Sequence, residues 1–202
     1  MPFMINKYLL LAFLLLGSLL TVQAQEDDSK YLTGAVPLVD GRVVITRDVL
    51  FASNSDLTKN KMFALVEEWA NKEYTSDEEN IIKRVLVASA EEGYVACQGD
   101  DYLVFKSAAL VLDRAKMYYQ LIVRAQDNGA TLEFRNIKYD YQDYKKTVPA
   151  EEMITDEYAL NKQGTKLNRY YDKFRTFSID QIDAVTENLR NFLANKISNA
   201  GG

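Results

Sequence analysis

The sequence predicts an α+β fold, a two-layer domain whose antiparallel sheet is covered on one face by two helices. Three observations carry this expectation. Arg42–Phe51 alternates, with Val43, Ile45, Val49 and Phe51 in one phase, and four later stretches also read as half-buried strands. After the first stretch the spacing changes to the helical i, i+3, i+4, i+7 pattern of Met62, Leu65, Val66 and Trp69. A second helical stripe, Ile182, Val185, Leu189, Phe192, Leu193 and Ile197, closes the chain. Strands joined by short turns pair antiparallel, and two amphipathic helices bury their stripes on one side of the sheet. The expected order is β-α-β-β-β-β-α.

At the start of the chain, Lys7 precedes an apolar run from Tyr8 to Leu20, followed by Thr21-Val22-Gln23-Ala24. A basic start, an apolar core and small side chains before a cut site define a secretory signal peptide. Val22 and Ala24 stand three and one before the cut, so cleavage is expected after Ala24. The 13-residue run falls short of the roughly 18–20 residues that span a bilayer, so no transmembrane anchor is expected after cleavage. No cysteine follows the run, which removes the usual route to a lipid-anchored lipoprotein. The expected address is periplasmic or cell-surface.

Residues 25–40 read as an extended lead-in, a tail or an edge strand tied to the sheet. The domain proper is expected over 41–198. Asp40-Gly41 is a turn pair, and Ser53-Asn54-Ser55-Asp56 offers capping oxygens to the helix expected over Leu57–Tyr74. Thr75–Asn80 ends that helix. Ile81–Ala90 and Tyr94–Phe105 are joined at Glu91-Glu92-Gly93, with Gly99 a candidate bulge. Lys116–Gln126 and Ala130–Tyr141 are joined by Asp127-Asn128-Gly129, because Asn-Gly tolerates positive φ in a tight turn. The apolar phase slips at Arg135-Asn136, from Leu132 and Phe134 to Ile137, Tyr139 and Tyr141, as a bulge would produce. Ser107–Ala115 fits either a strand extension or a wandering connection. Residues 142–177 read as a long polar connection with a short helical turn at Ala150–Ile154. Ser178 is the expected cap of the last helix, with Gln181 three residues on and Phe177 stapled to Ile182. Asn199–Gly202 is expected to fray.

Composition narrows the chemistry. Cleavage would leave 178 residues, one domain by length, with 23 basic against 29 acidic side chains. That acidic balance disfavours nucleic acid as a partner. The chain has no histidine, so Ser-His-Asp and Cys-His nucleophile systems and imidazole-ligated zinc cannot be built from it. Its single cysteine, Cys97, cannot form an internal disulfide and reads as an inward strand position. No phosphate-cradling glycine loop, nucleophile elbow or dinucleotide fingerprint is present. No cofactor, no metal and no catalytic residues are expected, and the chain reads as a non-enzyme.

Several segments carry a resemblance. Leu32-Thr33-Gly34-Ala35-Val36-Pro37, Asp40-Gly41-Arg42-Val43-Val44 and Tyr102-Leu103-Val104-Phe105-Lys106-Ser107 belong to it. So do Ile154-Thr155-Asp156-Glu157-Tyr158-Ala159-Leu160-Asn161-Lys162, Thr165-Lys166-Leu167 and Lys173-Phe174-Arg175. Together, over roughly 31–197, they resemble an uncharacterised family of exported Bacteroidetes proteins described as a domain of unknown function with a TBP-like fold. The resemblance implies a single TBP-like repeat, a bacterial source and an envelope address. It implies no catalytic residue, and a fold name does not import DNA binding.

Two clusters are candidate ligand or partner sites. Lys162, Lys166, Arg169, Lys173 and Arg175, interleaved with Tyr170, Tyr171 and Phe174, are suited to a phosphate, a sugar acid or an acidic partner. They also suit, and more simply, a solvated loop whose cations pair with Asp156, Glu157 and the acidic helix faces. Tyr139, Tyr141 and Tyr144, near Tyr118 and Tyr119 across the hairpin, suit glycan stacking or a protein contact, or an ordinary half-buried strand. Glu91-Glu92 and Asp100-Asp101 are poor glycosidase pairs, being adjacent rather than opposed across a cleft. The expected function is an exported, non-enzymatic binding or protein-interaction module acting on an envelope protein or glycan. Its contact surface would be the open sheet face and the 142–177 connection, with a homodimer as its simplest form. The alternative is a periplasmic carrier of a small lipid or glycan ligand held in a helix–sheet cavity.

Overall fold

A computed structural model of the chain describes residues 28–52, 57–76, 80–108, 111–141 and 146–200. The expected signal peptide and the capping quartet Ser53–Asp56 lie outside the described residues. One compact unit, Tyr31–Gly202, carries the sheet and the helices. Its strands are β1 (Leu38–Val39), β2 (Arg42–Leu50), β3 (Arg84–Ser89), β4 (Tyr94–Ala108), β5 (Val111–Gln126), β6 (Gly129–Tyr141) and β7 (Val148–Pro149). They form one seven-stranded antiparallel sheet in the order β1-β2-β6-β5-β4-β3, with β7 also pairing β6. Helices α1 (Lys59–Glu73) and α3 (Asp172–Ala200) lie on one face, and α2 (Asp156–Ala159) is a single short turn. The core order β2-α1-β3-β4-β5-β6-α3 is the one that periodicity predicts, with three helices rather than two.

Local chemistry explains the boundaries. Asp40 and Gly41 both take positive φ, which closes the β1–β2 hairpin and makes the lead-in an edge strand. Thr58 caps α1 through its hydroxyl, 3.4 Å from the Lys61 N–H. Asn128 takes φ 60° in the β5–β6 turn, and Gly129 is needed beside it because a Cβ there would meet the Val49 carbonyl at 2.3 Å. The phase slip in β6 is a bulge: Asn136 sits at φ 53° and the β5–β6 register shifts between Tyr118 and Gln120. Ser107 and Ala108, together with residues 111–115, extend the β4–β5 hairpin.

Gly99 is no bulge. It pairs regularly with Tyr119, and its missing side chain is the space that the Tyr119 ring occupies. Ser178 does not cap α3, because the helix begins at Asp172 and the Ser178 hydroxyl is buried against the Tyr139 hydroxyl at 2.7 Å. Burial of Phe174 and Arg175 draws two further turns of polar sequence into helical form. At its far end α3 continues to Ala200 rather than fraying from Asn199. The described part of the 142–177 connection is likewise structured, with β7, a 3-10 turn at Ala150–Glu152, α2 and the start of α3.

The core lies between the sheet and α1 and α3. Met62, Val66 and Trp69 from α1 and Ile179, Ile182, Leu189 and Leu193 from α3 meet Ile45, Cys97, Met117, Leu121, Leu132, Phe134 and Tyr139 from the strands. Large side chains fill this layer, with Trp69, Phe134, Tyr139 and Phe174 each almost wholly buried. Among the described residues no helix is long and apolar enough to cross a membrane.

Candidate ligand-binding face

The basic stretch does not form one patch. Lys162, Lys166 and Arg169 are exposed on the segment between α2 and α3. Arg175 points inward and is completely buried, donating to the carbonyls of Tyr31 (2.5 Å), Ile154 (2.6 Å) and Leu32 (2.7 Å) and to the Asp156 carboxylate (2.7 Å). It is a lock that joins the lead-in, the 150–156 segment and the last helix.

Lys173 also turns inward, onto the second candidate cluster. Its ammonium donates to Asp113 and to the Tyr141 hydroxyl, both at 2.9 Å, and lies 4.5 Å from the Tyr141 ring centroid and 4.7 Å from that of Phe105. This contact holds the Asp113 carboxyl below its usual range, the Lys173 hydrogen bond being the largest cause. Burial pulls the Lys173 ammonium down, but its bonds to Tyr141 and Asp113 outweigh that and raise it on balance. Tyr139 and Tyr141 are thus core residues, packed edge-to-face on Phe174 at 5.5 and 5.3 Å. Tyr144 lies outside the described residues. The two candidate clusters meet through Lys173 and Phe174.

A polar network also runs under α1. The Tyr119 hydroxyl donates to Asp101 at 2.8 Å, which leaves the Tyr74 hydroxyl, 3.3 Å away, as the donor to Tyr119. Lys83 closes the chain at 2.7 Å from Asp101. Asp100, the next residue, points to the opposite face, where it accepts the Ile82 N–H at 2.5 Å and pairs with Lys116 at 2.7 Å. Strand alternation therefore separates the adjacent carboxylates, and Glu91 and Glu92 are exposed in the β3–β4 turn. Among the described residues no group of metal-ligating side chains converges.

The sheet face away from α1 and α3 is of different character. Register sets Tyr94 beside Arg124, Gln98 beside Gln120 and Arg135, Asp100 beside Tyr118 and Lys138, and Tyr102 beside Lys116 and Asp140. Arg114 stacks 4.0 Å above the Tyr102 ring, Arg124 lies 5.2 Å from that of Tyr94, and Lys116 lies 5.2 Å from that of Tyr118. Cations Arg84, Arg114, Lys116, Arg124, Arg135 and Lys138 outnumber acids Asp48, Asp100, Glu133 and Asp140 on this face of a net acidic chain. A depression of about 560 Å³, open to solvent, lies at the bulge, lined by Gln98, Tyr118, Tyr119, Gln120, Asn136, Lys138 and Thr147.

The sequence reading missed these residues. Gln98, Gln120 and Asn136 lie on three strands, and only the register, with the slip at Asn136, brings them together. Tyr118 was within view, but as a neighbour of Tyr139 rather than as part of this face.

An open antiparallel sheet, helices on one side and a polar, cation-rich face on the other, defines an α+β domain of TBP-like architecture. Comparison with known proteins agrees. The model of a family described as "Domain of unknown function (DUF4468) with TBP-like fold" matches residues 52–140. A crystal structure of a DUF4468 family protein from Bacteroides ovatus is 30% identical, with a TM-score of 0.74 over 83% of this chain and 95% of that one. The chain belongs to the DUF4468 family. A TBP-like protein from Parabacteroides distasonis, 20% identical, shares the fold at a TM-score of 0.60 over 79% of this chain and 97% of that one. No curated protein matches the chain.

Proposed function

We propose that the protein is an exported, non-enzymatic binding module of the bacterial cell envelope, with the open face of its sheet as the contact surface. The observation that carries this reading is the face itself, where half-buried Tyr94, Tyr102 and Tyr118 stand among basic side chains spread along the strands, with Lys138 lining the depression at the bulge. Side chains fixed on paired strands are held more rigidly than side chains on loops, as a recognition surface requires. The leader pattern of residues 1–24 supports export.

Charge bears on the kind of partner. Two copies meeting through this face would oppose like charges, so an anionic partner fits it better than a homodimer does. The carrier reading has less support. Large side chains fill the layer between α1, α3 and the sheet, and the opening at its edge beside Trp69, Tyr74 and Tyr119 holds about 200 Å³, below the roughly 300–1,000 Å³ of a small-molecule pocket.

The test is co-sedimentation of the purified protein with envelope fractions of a Bacteroides species. Binding is expected, weakened at raised salt and lost in Tyr118→Ala and Arg124→Glu variants that keep the parent melting temperature. No binding, or binding indifferent to both variants, overturns the proposal. N-terminal sequencing of the protein from those cells is expected to start at Gln25. An intact Met1 in the cytoplasm would remove the export half.

A further inference from the structure

We infer that the depression at the β6 bulge is a subsite for one carboxylate-bearing sugar unit of a glycan chain, an inference that rests on the open face being the contact surface. Three amides converge there. Arg84 donates to the Gln98 side-chain oxygen at 2.8 Å, and because a guanidinium only donates, the Gln98 amide, which lines the depression, keeps its NH₂ group as a donor. Asn136 and Gln120 are joined amide to amide at 2.6 Å. Whichever way round that bond runs, one NH₂ group and one carbonyl remain for a ligand. Paired donors and acceptors of this kind match the vicinal hydroxyls of a pyranose ring.

The remaining lining completes that chemistry. The Tyr118 ring offers an apolar flank to sugar C–H groups, and the Thr147 hydroxyl adds a donor–acceptor. Lys138, exposed at the rim, supplies the cation for a carboxylate, while neighbouring Arg135 is engaged with Glu133 at 3.4 Å and Lys116 with Asp100 at 2.7 Å. The volume of about 560 Å³ suits a small ligand, and its breadth of opening suits a chain passing across the sheet.

The geometry favours a saccharide over the other anionic polymers. A peptide adding as a strand needs unpaired backbone, and here β4, β5 and β6 pair one another. Single-stranded nucleic acid needs open aromatic faces for its bases, yet arginines lie over Tyr102 and Tyr94.

The test uses the whole purified protein and calorimetry against tetrasaccharides of galacturonate, guluronate–mannuronate and glucuronate–N-acetylglucosamine, each beside its carboxyl-reduced form. At least one acidic tetrasaccharide is expected to bind, with its reduced form about tenfold weaker, the worth of one charge-assisted hydrogen bond. Lys138→Gln is expected to erase that difference, and Gln120→Ala to weaken both forms alike. Failure of all acidic forms, equal binding of reduced forms, or equal competition by a glutamate-rich peptide each overturns the inference. Should the sugars fail while envelope binding persists and still depends on Tyr118, only the ligand class is wrong. Should envelope binding also ignore Tyr118, the contact surface falls with it.

Discussion

Arg175 is the residue whose replacement should cost this fold most. Arg175→Met keeps much of the aliphatic stem and removes the guanidinium from a site of 0% exposure. It removes the guanidinium bonds to the carbonyls of Tyr31, Leu32 and Ile154, of which Leu32 still accepts the Ala35 N–H at 3.0 Å, and leaves Asp156 without its cation. An unsatisfied buried acceptor costs about 1–3 kcal/mol, and the bond to Ile154 is the fully buried one. The other two acceptors are only partly buried, and removing the arginine also removes its own desolvation cost. A net loss of about 3–5 kcal/mol follows, the usual range for breaking a buried charged network. Arg175→Lys, which reaches fewer acceptors, should lose about half of that. Asp156→Asn should lose about 1 kcal/mol, because that carboxylate is 39% exposed. Urea unfolding followed by circular dichroism measures all three, with m-values unchanged if two-state behaviour holds. An Arg175→Met protein within about 1 kcal/mol of the parent, or an Asp156→Asn protein as damaged as Arg175→Met, would refute the reasoning.

Three further outcomes are expected. Gly99→Ala would set a Cβ 2.6 Å from Cζ of Tyr119, whose hydroxyl is held by Asp101 and Tyr74, so thermal unfolding should show about 1–3 kcal/mol lost; an unchanged melting temperature would mean that the ring moves freely. Burial raises the phenols of Tyr74, Tyr119 and Tyr139, so their stabilising contribution is complete below the unfolded tyrosine pKa near 10 and is lost as pH rises above it. At pH 11 that loss is about 4 kcal/mol for the three together, and tyrosinate absorbance should rise in two steps, the second coincident with unfolding; a single step in a folded protein would contradict it. Cys97 is fully buried and its thiol is pushed up to about 12, so the folded protein should resist iodoacetamide at pH 8 and react fully in urea.

Those features that rest on local geometry were legible in the sequence. The change of period at α1, the turn residues Asn128 and Gly41 and the phase slip at Asn136 each leave a signature within a few positions. Features that rest on long-range burial were not. Lys173 and Arg175 sit in a run as polar as any loop, and their interior partners come from elsewhere in the chain, the carbonyls of Tyr31, Leu32 and Ile154 for Arg175 and Asp113 and Tyr141 for Lys173. Tyr139 and Tyr141 lie between these cases, since the sequence suits them both to a contact surface and to a half-buried strand. The same phase that places Ile137 inward also places both tyrosines there, and their hydroxyls find Ser178 and Asp113 inside.

The sheet order has a consequence for how the polypeptide is made. The first long strand, β2, pairs with β6, and its apolar residues are roofed by α3, the last element of the chain. The backbone of residues 31 and 32 waits for a guanidinium that is translated 144 and 143 positions later. Closing such distant contacts carries a loop-entropy cost that no early segment offsets by itself. The N-terminal half therefore stays open while the ribosome still holds the C-terminal helix. Under the export proposed above, that delay would leave the chain unsealed on its way to a translocation pore, since Leu193 is among the residues that complete the core.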